Sequence, residues 1–291
     1  MLSTVLMSIP LPPVNGHAPH SSETVFDIFI FIPLAVALAL AVRQILGRKG
    51  PVLLYCIIGG AFAATLEPVV DVLGLVFLKQ HGAVETFTVL GRTMPLYICF
   101  VYPWYVGGLG YLAYKLFQNG ITARGLFQLW ALDFVIDIFL ESPGILAKTY
   151  SYYGHQPFNI WGFPLWWGFV NPVMPMAAGA MIYKILPRLR GVQLLAIIPL
   201  IPMADGLANG ATAWPMWVTL NQQNVSYVWT YLASFITLGL ALYSVWMISL
   251  VVARPVEEVG DESIFVKLKA LVAKPAAELP AVPAASLTLT H

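Results

Sequence analysis

Glu67 and Asp71 stand four residues apart in one apolar run, and Asp133, Asp137 and Glu141 follow at the same step in another. In a third, Asp205 precedes Asn209 by four. A step of four returns a side chain to the same helical face, so each set forms one acidic stripe. An ionised carboxylate facing lipid costs roughly 3 kcal/mol or more, so acids in such runs face protein or water and are functional candidates. No Lys or Arg lies beside them to neutralise them. Some are therefore expected to carry a proton and act as acids while others act as bases.

The runs that carry the stripes have the length and composition of membrane spans. Of 291 residues, 59% are hydrophobic and 10% charged, against roughly 25% charged in a soluble domain; mean hydropathy is +0.78. A helix needs about 20 mostly apolar residues to cross about 30 Å of hydrocarbon. Seven runs qualify, at approximately 24–46, 51–78, 93–117, 123–146, 160–186, 192–214 and 227–253. The expected fold is all-α: a polytopic integral membrane protein, a seven-transmembrane helix bundle over 23–254. A flexible tail is expected at 1–22, whose apolar stretch is broken by Pro10, Pro12 and Pro13 and lacks the basic start of a secretory signal. A second tail covers 255–291. Within it, 261–274 places Ile264, Phe265, Leu268, Leu271 and Val272 on one face with lysines elsewhere, as an interfacial amphipathic helix would. The Pro/Ala-rich remainder is too poor in core-forming residues to fold.

Basic residues orient the spans. Lys79, Arg92 and Lys148 fall in one set of connections, whereas Arg43, Arg48, Lys49, Lys115, Arg124, Lys184, Arg188, Arg190, Arg254, Lys267, Lys269 and Lys274 fall in the other. Since Lys and Arg concentrate on the cytoplasmic side, the N-terminus is expected outside and the C-terminus in the cytoplasm, in a multi-pass protein of the cell membrane. Counting a 1.5 Å rise from the cytoplasmic ends puts Glu67 and Asp71 at about 24–30 Å, the helix 4 acids at about 15–27 Å, and Asp205 with Asn209 at about 20–25 Å. Helices 3 and 5 bring Tyr102, Tyr105, Trp166, Trp167 and Asn171 to similar depth. One outward-opening pocket with acidic and aromatic walls is the expectation, under a lid formed by TYSYYGHQPFN with Tyr153, His155 and Gln156. The small pairs Gly59/Ala63, Gly60/Ala64 and Gly206/Gly210 predict close helix contacts. Pro68, Pro172, Pro175 and Pro202 predict interrupted helices whose freed carbonyls line a cavity.

Plainer roles exist for the same residues. Protonated carboxyls can hydrogen-bond between helices, loop Tyr and Trp can form an interfacial belt, and His155 can be a solvent-facing loop residue. Arg92, Lys79 and Lys148 read as headgroup contacts. A balance of 15 basic against 14 acidic residues excludes nucleic acid as a partner. Cys56 and Cys99 lie in apolar runs, pointing to neither a disulfide nor a thiolate site. DFVID in helix 4 is spaced more loosely than the magnesium-diphosphate motifs DDxxD and NDxxD. There is no His pair at ligand spacing, no phosphate-cradling glycine loop, no GxSxG elbow, and no lysine in helix 7 for a retinal Schiff base. What remains is metal-free, cofactor-independent acid–base chemistry on a hydrophobic small molecule, or transport. A membrane terpene cyclase that protonates an epoxide or alkene would want the same acid and aromatic rings. A proton-coupled lipid or metabolite transporter would use the acids as relays, although no inverted repeat is visible.

Five segments, LEPVVDVLG (66–74), GRTMPLYICFVYPWYVGG (91–108), DFVIDIFLESPGI (133–145), YYGHQPFNIWGFPLWWGFVNPVMP (152–175) and PLIPMADGLANGATAWP (199–215), resemble the AveC-like spirocyclase family in order and content. The likeness runs from about residue 50 to 250, with YYGHQP and FPLWW its most specific parts. It implies a membrane-embedded cyclase that closes a dihydroxy-ketone of polyketide type to a spiroketal with loss of water. It transfers no catalytic residue. Ring closure needs an acid for the ketone oxygen and a base for the alcohol proton in a dry site. On this reading Asp137 or Glu141 is the acid and Glu67 or Asp71 the base, an assignment that could be reversed. Asp205, Asn209, Asn171 and Tyr105 would orient oxygens, and Trp166 and Trp167 would supply an apolar wall. Substrate skeleton and oligomeric state stay open.

Overall fold

The computed structural model describes residues 6–7 and 10–273; Lys274 and the rest of the Pro/Ala-rich tail lie outside them. The chain is mostly helical. Among the described residues, six helical rods are long and apolar enough to cross a membrane: His20–Leu46, Val52–Gly74, Leu96–Gln118, Leu165–Arg188, Gly191–Leu220 and Tyr227–Val252. The expected fourth span is also a continuous helix, α6 (Ala123–Leu146). It differs from the six in polarity, since every 18-residue stretch of it holds three or more of Arg124, Asp133, Asp137 and Glu141.

The rods divide where the sequence breaks backbone hydrogen bonding. The first is α1 (His20–Leu46). The second is α2 (Val52–Ala63), a 3-10 turn at Ala64–Leu66, and α3 (Glu67–Gly74), with Pro68 at the start of α3, where a missing N–H costs least. The third is α4 (Leu96–Tyr102), a π-helical stretch at Pro103–Gly108 and α5 (Leu109–Gln118). After α6, whose Thr122 cap accepts the Gly125 N–H at 3.0 Å, come α7 (Leu165–Val170) and α8 (Val173–Ile185), parted at Asn171–Pro172. The last two are α9 (Ile197–Leu220) and α10 (Tyr227–Val252). The expectation that Pro202 interrupts its helix fails, because α9 runs unbroken through Pro202 and Pro215.

Among the described residues, eight short strands gather at the end of the bundle where α3, α6 and α9 finish. They pair antiparallel as β1 (Leu6–Met7) with β8 (Val225–Ser226), β2 (Val76–Leu78) with β5 (Tyr150–Tyr152), β3 (Glu85–Val89) with β4 (Arg92–Pro95), and β6 (Asn159–Ile160) with β7 (Phe163–Pro164). Three of the expected spans are shorter at this end for that reason. Helix 2 stops at Gly74, where Leu75 turns left-handed at φ 56° and 76–78 becomes strand. Helices 3 and 5 begin only at Leu96 and Leu165, because 93–95 and 159–164 belong to hairpins.

Helices touch backbone to backbone where glycine allows it. A Cβ on Gly59 would lie 2.5 Å from the Ile198 carbonyl oxygen, on Gly60 2.5 Å from that of Tyr102, and on Gly107 2.2 Å from that of Cys56. The Gly206/Gly210 pair does not act this way: Gly206 would meet only a Leu66 methyl at 3.6 Å and Gly210 nothing within 4 Å. At the opposite, basic end, α11 (Val256–Val259) and α12 (Ile264–Ala273) fold back on the bundle. There Asp261 meets Arg124 at 3.0 Å and the Ile264 N–H donates to Gln128. Ile264, Leu268 and Leu271 pack into the core, while Phe265 points away from it. The expected single apolar face is therefore split between protein and surroundings.

Gly107→Ala is expected to destabilise the bundle by about 1–3 kcal/mol or more, since backbone must move to admit the methyl. Gly210→Ala should be neutral or stabilising by up to about 1 kcal/mol through helix propensity. Thermal unfolding of both variants in detergent checks the contrast.

Candidate functional site

A cavity of about 100 Å³ lies at the strand end of the bundle, room for several waters or part of a small ligand where one water needs about 10–15 Å³. Glu67 and Asp71 reach it from the second rod, Asp137 and Glu141 from α6, Tyr102 and Tyr105 from the third rod, and Trp167, Asn171 and Asn209 from the remaining walls. The spacing of four thus does what helical geometry requires, presenting both carboxyls of each pair to one space. Apolar surface fills the gaps, from Phe26 and Ile30 on α1, Val101 and Leu140, and Met174 on α8.

Each carboxyl has a different set of partners. Tyr102 donates its hydroxyl to Glu67 Oε2. The Asn171 amide donates to both oxygens of Asp137, at 3.2 and 3.1 Å. Glu141 Oε2 accepts two phenols, Tyr150 at 2.8 Å and Tyr152 at 2.9 Å. Asp71 Oδ2 is buried with no partner. Among the described residues the only side-chain ion pair is Arg124–Asp261, so none of these acids sits against a cation at contact distance.

The π-helical stretch explains how one rod supplies two tyrosines. An inserted residue in a helix re-aims the side chains around it, and Tyr102 and Tyr105 flank Pro103 at the point where the rod lies on Gly60. Similarly, the break at Pro172 leaves Asn171 between two helices, with its amide turned to Asp137.

The roof is a β-ribbon. In the β2–β5 pair, Val76 opposes Tyr152 and Leu78 opposes Tyr150, and all four line the cavity. Strand side chains alternate, so Phe77 and Tyr153 point the other way, where Arg92 stacks on Phe77 at 5.0 Å and donates to the Tyr153 hydroxyl at 2.9 Å. Arg92 is 7% exposed, which corrects its reading as a headgroup contact. It anchors the ribbon from behind.

Several expected site residues stand behind the cavity. Asp205 is buried and accepts from the Asn209 amide at 2.9 Å, so it positions Asn209 and does not line the space. Asp133 is buried one turn further along α6 with Oδ1 unpartnered. Trp166 stacks on Trp167 at 4.2 Å and donates its indole N–H to Gln156. Gln156 in turn donates to the Gly74 and Tyr153 carbonyls, which makes it a brace between loop and helix. Tyr153 belongs to the Arg92 cluster. His155 packs on Tyr227 at 4.0 Å, and burial pulls its imidazole below its ordinary value; it is a loop contact with α10.

Sequence reasoning missed three cavity tyrosines, Tyr97, Tyr150 and Tyr152. For the last two a signal existed: TYSYYG reads as a short alternating strand, with residues 150 and 152 on one face. Tyr97 carried no such mark. Glu23 and Asp27 at the start of α1 were also passed over; Glu23 is buried and accepts the Val84 N–H at 2.9 Å, tying the β3 hairpin to α1.

No family model matches the chain, and no curated protein or solved structure matches it either.

Burial, reinforced by the neighbouring Glu141, pushes the phenols of Tyr150 and Tyr152 well above their ordinary value. The folded protein therefore holds these protons more tightly than the unfolded chain. Their contribution to stability is complete below the ordinary tyrosine value of about 10 and is lost as pH rises beyond it. The thermal midpoint is expected to fall as pH climbs above about 10, and Tyr150→Phe with Tyr152→Phe should flatten that slope. Melting curves taken across alkaline pH test this.

Proposed function

We propose that this chain is a seven-span membrane cyclase, with its N-terminus outside and C-terminus in the cytoplasm, that closes a dihydroxy-ketone to a spiroketal by acid–base chemistry in the strand-end cavity. The alternation of basic residues between connections supports the topology, and on that orientation the cavity would lie toward the outer face. The observation that carries the chemistry is the pairing, in one apolar-walled space, of an acid oxygen without a partner and carboxyls already clamped by donors.

Partners assign the roles. Asp71 Oδ2, lacking a donor, suits the neutral acid and can give its proton to the substrate carbonyl oxygen. Glu141 accepts from two fixed phenol donors and keeps Oε1 free of any such bond to receive a hydroxyl proton, which suits it to the part of base. Attack of that hydroxyl on the protonated carbonyl gives a hemiketal. Its hydroxyl then leaves as water after protonation, and the second chain hydroxyl attacks the resulting oxocarbenium carbon. The proton it releases returns to the site, so the cycle is balanced. This reverses the assignment drawn from spacing alone. The resemblance to AveC-like spirocyclases supplies the reaction type; the clamped carboxyls supply the means.

The rings of Phe26, Tyr97 and Tyr150, packed together beside Asp71, favour protonation-initiated terpene cyclisation as a second reading, because aromatic faces stabilise cations. Purified protein offered a symmetric acyclic dihydroxy-ketone and, separately, an epoxyprenyl chain decides between them by which is consumed. Asp71→Asn and Glu141→Gln are each expected to lower turnover of the ketone by about 10²–10⁴-fold while the protein remains folded in the membrane. Full activity in both would sink the proposal.

A further inference from the structure

Four residues that line the cavity each carry a buried polar atom without a partner: the hydroxyl of Tyr97, the indole N–H of Trp167, Asn209 Oδ1 and Asp71 Oδ2. Their residues are between 1% and 5% exposed. A buried donor or acceptor left unpaired is costly, and native folds pair nearly all of them. Four around one small space are therefore a site built for something that completes them. Their kinds specify it. The Trp167 N–H can only donate, so it needs an acceptor atom, which an ammonium or other cation cannot offer, and the Tyr97 hydroxyl can donate beside it. Asn209 Oδ1 needs a donor, which a ligand hydroxyl provides.

From this we infer that Tyr97 and Trp167 form a recognition pair for a neutral ligand carrying a carbonyl or ether oxygen, and that the four acids do not make this a cation site. The inference rests on the acid–base reading of the same cavity and adds to it which residues hold the oxygen before any proton moves. Trp167 is fixed for this task. Its ring lies where a Cβ on Gly74 would sit, 2.3 Å from Cζ2, and it is stacked on Trp166, which Gln156 holds.

The test uses three probes of matched length: dibutyl ketone, n-nonane and dibutylammonium. Binding to the purified full chain in detergent is followed by titration calorimetry, with transfer into empty micelles subtracted. The ketone is expected to bind more tightly than either of the others. Tyr97→Phe should weaken ketone binding about five- to tenfold, the worth of a neutral hydrogen bond, and leave nonane unchanged. Because the Tyr97 hydroxyl is unpartnered in the fold, its removal should keep or raise the thermal midpoint, whereas a structural role would lower it. Repeating the ketone titration in the Glu141→Gln protein separates recognition from chemistry: a preserved preference for ketone over nonane supports the recognition pair even if turnover is lost. Ketone binding indifferent to Tyr97→Phe, or dibutylammonium binding more tightly than the ketone, would overturn it.

Discussion

The two phenols that Tyr150 and Tyr152 donate to Glu141 are the contact on which the strand end depends. A carboxyl among apolar helices has little bulk water to turn to, and among the described residues no cation stands within contact distance, so its oxygen is met by protein donors. Those donors come from a strand and not from another helix. The bond therefore ties the end of α6 to the β2–β5 ribbon, and the ribbon's alternation brings Val76 and Leu78 over the cavity with the tyrosines. The single Tyr150 proton is shared between Glu141 Oε2 and the Glu141 carbonyl, and the Tyr150 ring lies against Gly144, where a Cβ would come within 2.3 Å. Roof and wall are one unit.

Once that roof is in place, the helix irregularities take on a common purpose. The 3-10 turn before Glu67, the π stretch after Tyr102 and the gap at Asn171 all occur at the level of the cavity. Each breaks the even ladder of i to i−4 bonds and lets a polar side chain turn inward. The glycines that permit backbone contact, Gly59, Gly60 and Gly107, hold the same rods together just beside these breaks. Rigid packing and local irregularity thus alternate along the same helices, one fixing the frame and the other aiming the groups.

Behind the cavity lies a second ring of residues that hold the first. Asp205 holds Asn209, Gln156 holds Trp166 and so Trp167, and Arg92 holds the outer face of the ribbon through Phe77 and Tyr153. Their chemistry alone would nominate several of them as catalysts. Geometry makes them supports, because a buried polar group that is already paired has spent its bonding capacity.

Composition and spacing by themselves determined the long apolar rods, the acidic faces on the second, fourth and sixth expected spans, and the meeting of Glu67, Asp71, Asp137 and Glu141. These follow from local rules, the length needed to cross hydrocarbon and the period of a helix, which act on neighbours in the chain. Only the tertiary structure decided that Asp133 and Asp205 stand back, that Tyr97, Tyr150 and Tyr152 come forward, and that Arg92 is buried behind the roof. Those outcomes turn on pairings between residues far apart in sequence, such as Tyr152 with Val76 and Asn171 with Asp137. Depth along a helix is readable from a count of residues; the direction a side chain faces, and the donor that reaches it, depend on what packs alongside.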